Sequence, residues 1–112
     1  MTLFGLKNVV WLGIQAIAAA ATRGVFGGGL NSDVMDYITI ATEGDATEFG
    51  DLTVARRFLA GVSSGIRGVF GGGLTGSNSD VMDYITIATE GNAYEFGELT
   101  VARNSLAGVN GS

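Results

Sequence analysis

Most of the chain is one segment that occurs twice, and this duplication constrains the fold more than any other feature of the sequence. Residues 23–30 recur unchanged as residues 67–74, and residues 31–65 recur with few differences as residues 78–112. Of the 43 aligned positions, 35 are identical. The second copy carries one insertion, Thr75-Gly76-Ser77, which predicts a loop because loops tolerate extra residues. The copies are offset by 44 residues before the insertion. A period of this length is typical of repeat proteins and favours duplication within a longer array.

The interior of each copy predicts short β-strands. Asp33–Thr42 is rich in β-branched and aromatic residues, which is typical of a strand. Both of its alternating faces are largely apolar, so we expect both faces to be covered. Further strands are predicted at Arg23–Phe26, Glu48–Val54 and Phe58–Val62. Four short strands per copy, without helical periodicity, predict an all-β fold of two four-stranded propeller blades. Each copy is expected to supply the second, third and outer strand of a blade and then an inner strand.

The composition excludes several classes of function. The chain has no histidine and no cysteine, so it lacks the usual serine triad, imidazole or thiolate metal ligands and a thiol nucleophile. Its formal net charge of −5 argues against a nucleic-acid partner. Hydrophobic residues make up 46% of the chain and charged residues 15%, which excludes disorder. We therefore expect a protein that is not an enzyme and that uses no cofactor or metal.

Glycine triplets end the first predicted strand of each copy. A phosphate-binding loop is one interpretation, but it requires a following helix and usually a lysine, and neither follows here. The preferred interpretation is that the glycines permit positive φ angles and close approach to neighbouring strands. The triplets are Gly27-Gly28-Gly29 and Gly71-Gly72-Gly73.

Arginines follow Val-Ala at the same place in both copies, as Arg56 and Arg103. They are candidates for a ring of ligand-binding guanidinium groups, or for scaffold residues that bond backbone carbonyls or a carboxylate between blades. Repetition favours the scaffold interpretation, because a binding site usually breaks the symmetry of a repeat.

Acidic residues also recur, and three interpretations are open. Oxygen-rich turns suit calcium, although no Asp-x-Asp-x-Asp-Gly spacing is present. Paired carboxylates could serve glycoside hydrolysis, but their repetition argues against catalysis. We favour solvated loops. The recurring residues are Asp33, Asp36, Glu43, Glu48 and Asp51, with Asp80, Asp83, Glu90, Glu95 and Glu98 in the second copy.

The order of these features resembles a kelch repeat. Gly-Val-Phe-Gly-Gly-Gly is followed by a variable loop, Asp-Val-Met-Asp-Tyr, and then Leu-Thr-Val-Ala-Arg and a small-residue strand. The resemblance covers Arg23–Ser112. More narrowly, this part of the sequence is similar to kelch-like arrays in virion-associated or tail-fibre-like bacteriophage proteins. It implies a propeller on a virion or outside the cell, with Tyr37 and Tyr84 as repeat positions. The family tryptophan is missing, and Phe49 and Phe96 are the nearest substitutes.

The repeat units 23–66 and 67–112 leave an N-terminal segment, 1–22, outside the pattern. Its run from Val9 to Ala21 is mostly apolar and follows a single lysine, Lys7. Three interpretations remain open: a signal or membrane anchor, a helix packed on the repeat, and a degenerate half-blade.

Two blades cannot close a ring, because propellers typically need about 4–8. The final strand predicted at Ser105–Val109 has no blade of its own, so we expect it to pair with a neighbouring chain or with further repeats. The expected function is a non-enzymatic structural or binding module that displays loops to a glycan or a surface protein. The alternative is a secreted or membrane-tethered, lectin-like adhesion module of cellular origin.

Overall fold

The computed structural model describes residues 22–111, which form two antiparallel β-sheets and contain no helix. The first sheet has the order β1-β2-β3, and the second has the order β4-β5-β6-β7. This part of the chain therefore has no helix long and apolar enough to cross a bilayer. The strands are β1 Arg23–Gly27, β2 Val34–Thr39, β3 Thr47–Asp51, β4 Ala60–Ser63, β5 Arg67–Gly71, β6 Val81–Thr86 and β7 Tyr94–Glu98.

The all-β prediction is confirmed for residues 22–111, and the duplicated segments form the same elements. β2 and β6 each pair with strands on both sides and carry a register shift at the same place, after Met35 and after Met82. β2 ends earlier than the predicted Thr42 because a backbone turn follows it, with Thr42 N–H donating to the Thr39 carbonyl at 3.1 Å. The two sheets do not close into a ring.

The strand predicted at Phe58–Val62 is β4, and it belongs to the second sheet, where it pairs with β5. The prediction of a strand at Ser105–Val109 is wrong, because this segment has no regular strand structure. It is held near β4 instead, with Ser105 N–H donating to the Phe58 carbonyl at 2.8 Å and Ser63 N–H donating to Asn110 Oδ1 at 3.0 Å. The physical reason is that no described strand pairs with it as β5 pairs with β4.

The hydrophobic core lies where the two sheets meet. It combines three residues of the first repeat with two of the second: Met35, Phe49, Leu52, Ile85 and Ala93. Our expectation that both faces of the long strand are covered is wrong for the first sheet, where Val34 is exposed, as is Ile40 just beyond the end of β2. No described element packs on that face, whereas the corresponding face of β6 meets the first sheet.

One close approach shows how tightly the sheets meet. The carbonyl of Gly91 lies against the position where a Cβ on Gly50 would stand, and Gly91 N–H donates to the neighbouring Phe49 carbonyl at 2.9 Å. A side chain at position 50 would therefore push the sheets apart. The inserted Thr75-Gly76-Ser77 is exposed in the β5–β6 loop. The interpretations of residues 1–22 fall almost wholly outside the described residues.

Candidate functional site

A buried carboxylate marks the centre of the contact between the sheets. Asp83 lies in the middle of β6 and is completely inaccessible to solvent. Its Oδ1 accepts a hydrogen bond from the Thr53 hydroxyl at 2.6 Å, and its Oδ2 accepts one from the Thr53 backbone N–H at 3.1 Å. Both carboxylate oxygens of Asp83, in the second sheet, thus accept hydrogen bonds from Thr53, which follows β3 of the first sheet.

The guanidinium of Arg56 completes this arrangement from the same side. Arg56 is also fully buried, and its Nη1 forms a salt bridge with Asp83 Oδ2 at 3.1 Å. Its Nε donates to the Gly72 carbonyl at 2.6 Å, and Nη2 donates to the Phe70 and Val81 carbonyls at 3.4 Å each. With a further bond from Nη1 to its neighbour Val54, every guanidinium nitrogen has an acceptor.

We call this set the inter-sheet arginine site: Thr53, Arg56, Asp83 and the carbonyls of Phe70, Gly72 and Val81. Burying a charge is unfavourable unless it is paired and fully hydrogen-bonded, and here both ions meet that condition. The site leaves neither charged group accessible to a ligand. Its physical effect is to fix the position of one sheet on the other, because the rigid guanidinium fork requires all its acceptors at once.

The counterparts of Arg56 and Asp83 in the other repeat have different environments. Arg103, the counterpart of Arg56, is exposed, and Asp36, the counterpart of Asp83, is half-buried. Among residues 22–111 the Arg56–Asp83 pair is the one salt bridge. Asp36 instead lines an open cavity of about 620 Å³ together with Phe26, Gly28 and Val34. We call these four residues the open site; they are the repeat counterparts of Asp83, Phe70, Gly72 and Val81.

The glycine triplets serve the backbone. Gly28 and Gly72 have φ angles of 77° and 73°, and each N–H donates across its own hairpin, to Val34 and Val81 respectively. The next amides are also occupied, because Gly29 N–H donates to the Arg56 carbonyl at 2.8 Å and Gly73 N–H to the Arg103 carbonyl at 2.9 Å. These four amides are therefore not available to bind a phosphate. Gly27 and Gly71 close β1 and β5.

The repeated tyrosines and phenylalanines pack beside the strands. Tyr37 stacks edge-on against the buried Phe49, and the Arg23 guanidinium lies 4.1 Å from the Tyr37 ring centroid. In the second repeat Tyr84 contacts Phe96 in the same way, under Arg67 at 4.4 Å. Phe49 is 3% exposed, whereas Phe96 is 48% exposed, because no described element covers it.

Tyr37 also makes a polar contact with the second repeat. Its hydroxyl donates to Glu90 Oε2 at 2.5 Å. This hydrogen bond to Glu90, with burial and the negative charge of the carboxylate, raises the pKa of Tyr37 above its ordinary value near 10, and Arg23 opposes the shift. The contact joins a tyrosine of the first repeat to a loop carboxylate of the second.

Backbone bonds reinforce the junction along β3. Gly91 and Ala93 donate to the carbonyls of Phe49 and Asp51, at 2.9 and 2.8 Å. Between them, Asn92 Oδ1 accepts from Asp51 N–H at 3.0 Å. The segment before β7 thus runs along the outer strand of the first sheet.

Our expectation that the recurring carboxylates lie in solvated loops is wrong for Asp83, which is buried in a strand with Arg56. It is also wrong for five others that lie in β2, β3 and β7, namely Asp36, Glu48, Asp51, Glu95 and Glu98. Residues 22–111 hold no group of three acidic side chains that could bind a metal ion. Sequence reasoning missed the roles of Asp83 and Thr53. The usable signal was an aspartate inside an apolar strand, together with a threonine three residues before an arginine.

No known family model matches the sequence, and a search of curated proteins found no match.

Proposed function

We propose that the chain is a non-enzymatic structural and binding module of the kelch-like propeller type, related to bacteriophage arrays and acting on a virion or outside the cell. The observation that carries the proposal is the inter-sheet arginine site. It uses a fully buried arginine and aspartate to hold sheet on sheet, which is the task of a scaffold rather than of a catalyst.

Two further observations support a display function. The antiparallel meanders of four and three strands have the strand order of complete and incomplete propeller blades. The repeats differ most visibly at exposed places, which include the inserted loop at residues 75–77 and Tyr94, which is 66% exposed. In this proposal the repeated framework positions these differing surfaces toward a host glycan or surface protein.

A glycan array tests the proposal. The chain is expected to bind a restricted set of surface glycans, and replacement of Thr75-Gly76-Ser77 by three glycines should weaken binding without changing the unfolding temperature. The Ala41→Ser variant, which makes an exposed substitution in the β2–β3 loop, serves as the control. Cleavage of the bound glycans, detected by mass spectrometry, would overturn the non-enzymatic assignment.

A further inference from the structure

We infer that the two ends of the described region are complementary, so that Arg103 of one chain binds the open site of a second copy of the same chain. This inference rests on the proposed function as a propeller scaffold, and it names the partner and the residues that join it.

The junction inside the chain provides the template. The first sheet presents Thr53 and Arg56, and the second sheet receives them with Asp83 and three carbonyls. Each of these residues has an identical counterpart in the other repeat. The donor counterparts, Thr100 and Arg103, lie at one end of the described region, and the acceptor counterparts lie at the other.

The burial of the counterparts fits two unpaired halves of one interface. Arg103 is exposed whereas Arg56 is fully buried, and Phe26 is 64% exposed whereas its counterpart Phe70 is partly buried against Gly27. The open site lines one side of the cavity of about 620 Å³, and Leu59, Ala60, Gly61 and Phe70 of the same chain line another. The carboxylate of the open site is complementary in charge to the arginine offered by the opposite end.

The other contacts of the internal junction have counterparts too. Asp45 stands where Asn92 accepts from Asp51, so its partner in a second copy would be Glu98. Glu43 stands where Glu90 accepts from Tyr37, so its partner would be Tyr84. The edge of β1 that no described strand pairs with corresponds to the edge of β5 that pairs with β4.

A contact between two different surfaces is heterologous, so it forms a ring where the rotation closes. Two to four copies of the described region would bring together 4–8 sheets, and propellers usually have about 4–8 blades. The geometry therefore points to a second copy of this chain as the occupant of the open site.

Cysteine cross-linking tests the pairing without altering the arginine or its acceptor, and the chain has no native cysteine to interfere. A chain with Asp45→Cys is mixed with a chain with Glu98→Cys and treated with a short thiol cross-linker. The expected product is a dimer of one variant with the other, and neither variant alone should cross-link. Asp51→Cys with Asn92→Cys in a single chain is the matched control, which should cross-link internally without gaining mass.

The role of the arginine is tested by sedimentation velocity and native mass spectrometry. Arg103→Ala and Asp36→Asn should each weaken self-association about 30-fold or more, as expected when one partner of a buried ion pair is removed. Asp33→Asn, which removes the same charge nearby, should leave it unchanged. Circular dichroism of the dilute variants should show that each remains folded.

Two results would overturn this inference: a wild-type chain that is monomeric at every concentration, or an assembly that persists in Arg103→Ala with unchanged affinity. Cross-linking of either single variant with itself would also overturn it, because it would show a head-to-head contact. A folded monomer that binds glycans without cleaving them would leave the proposed function standing, so the two failures are distinguishable.

Discussion

The two repeats contain the same residues at nearly every position, yet the same residue is buried in one repeat and exposed in the other. Arg56 is fully buried and Arg103 is exposed, and Phe49 and Phe96 differ in the same way. The acceptor side is reversed, since Asp83 of the second repeat is buried while Asp36 of the first is half-buried. Each repeat therefore has a donor face and an acceptor face, and one of each is used within the chain.

The difference shows that the identity of a residue does not by itself determine its contribution to stability. Identical side chains in identical strands contribute differently because stability depends on the neighbour that covers them. The second repeat thus serves as an internal control for the first, and paired substitutions can measure the junction directly.

The largest difference is expected between Arg56→Ala and Arg103→Ala. Removing Arg56 leaves the buried carboxylate of Asp83 without its cation, which should lower the free energy of unfolding by about 3–5 kcal/mol. Removing Arg103 from a dilute, unassembled chain should change it by less than about 0.5 kcal/mol. Urea denaturation of both variants at low protein concentration measures the difference, and equal effects would contradict the assignment of the buried site to Arg56.

A smaller difference is expected between Thr53→Val and Thr100→Val, which preserve side-chain shape. Valine at position 53 removes the hydroxyl that donates to Asp83 and should cost about 1.5–3 kcal/mol, as for a hydrogen bond to a charged group. Valine at position 100 should be nearly neutral in the dilute chain. Thermal unfolding by calorimetry measures both, and a neutral Thr53→Val would show that the hydroxyl contributes nothing.

The next pair tests the close backbone approach. Gly50→Ala places a methyl group against the Gly91 carbonyl and should cost about 1–3 kcal/mol more than Gly97→Ala. The two glycines share a φ angle of 156°, so conformational strain cancels in the comparison. Equal losses of unfolding free energy would indicate that strain, and not the approach of the second repeat, dominates at this position.

The smallest expected effect depends on pH. The raised pKa of Tyr37 means that the folded chain favours the neutral phenol, so its contribution to stability is complete below pH 10 and is lost as pH rises through the raised pKa. Glu90→Gln should lower this pKa toward its ordinary value, whereas Glu43→Gln should leave it unchanged. Nuclear magnetic resonance titration of the Tyr37 ring follows it, and an identical titration in all three proteins would exclude a role for Glu90.

The sequence predicted the strands well because their signals are local. Asp33–Thr42, for example, contains β2 with a few extra residues at its ends, and β-branched residues between glycines carry that information. From the sequence, Arg56 and Arg103 are equivalent, and so are Asp36 and Asp83, because the sequence does not show which copy is covered by another sheet. Burial of Asp83 and exposure of Arg103 follow from the order of the sheets, which lies beyond any local pattern.

The failed prediction at Ser105–Val109 has the same cause. The segment is almost identical to the one that contains β4, but a strand needs a partner edge for its backbone groups. β4 pairs with the edge of β5, whereas no described strand pairs with residues 105–109. Strand propensity was present in both, and pairing decided between them.

The position of β4 also bears on how such a chain can grow. The segment that duplicated starts at β1, but the second sheet starts at β4, which the first repeat encodes. The boundaries of the sequence repeat and of the sheet therefore differ by one strand. Because the second sheet takes its first strand from the first repeat, the covalent chain links the two sheets through a strand that the second sheet cannot lose without unfolding part of the first repeat's segment.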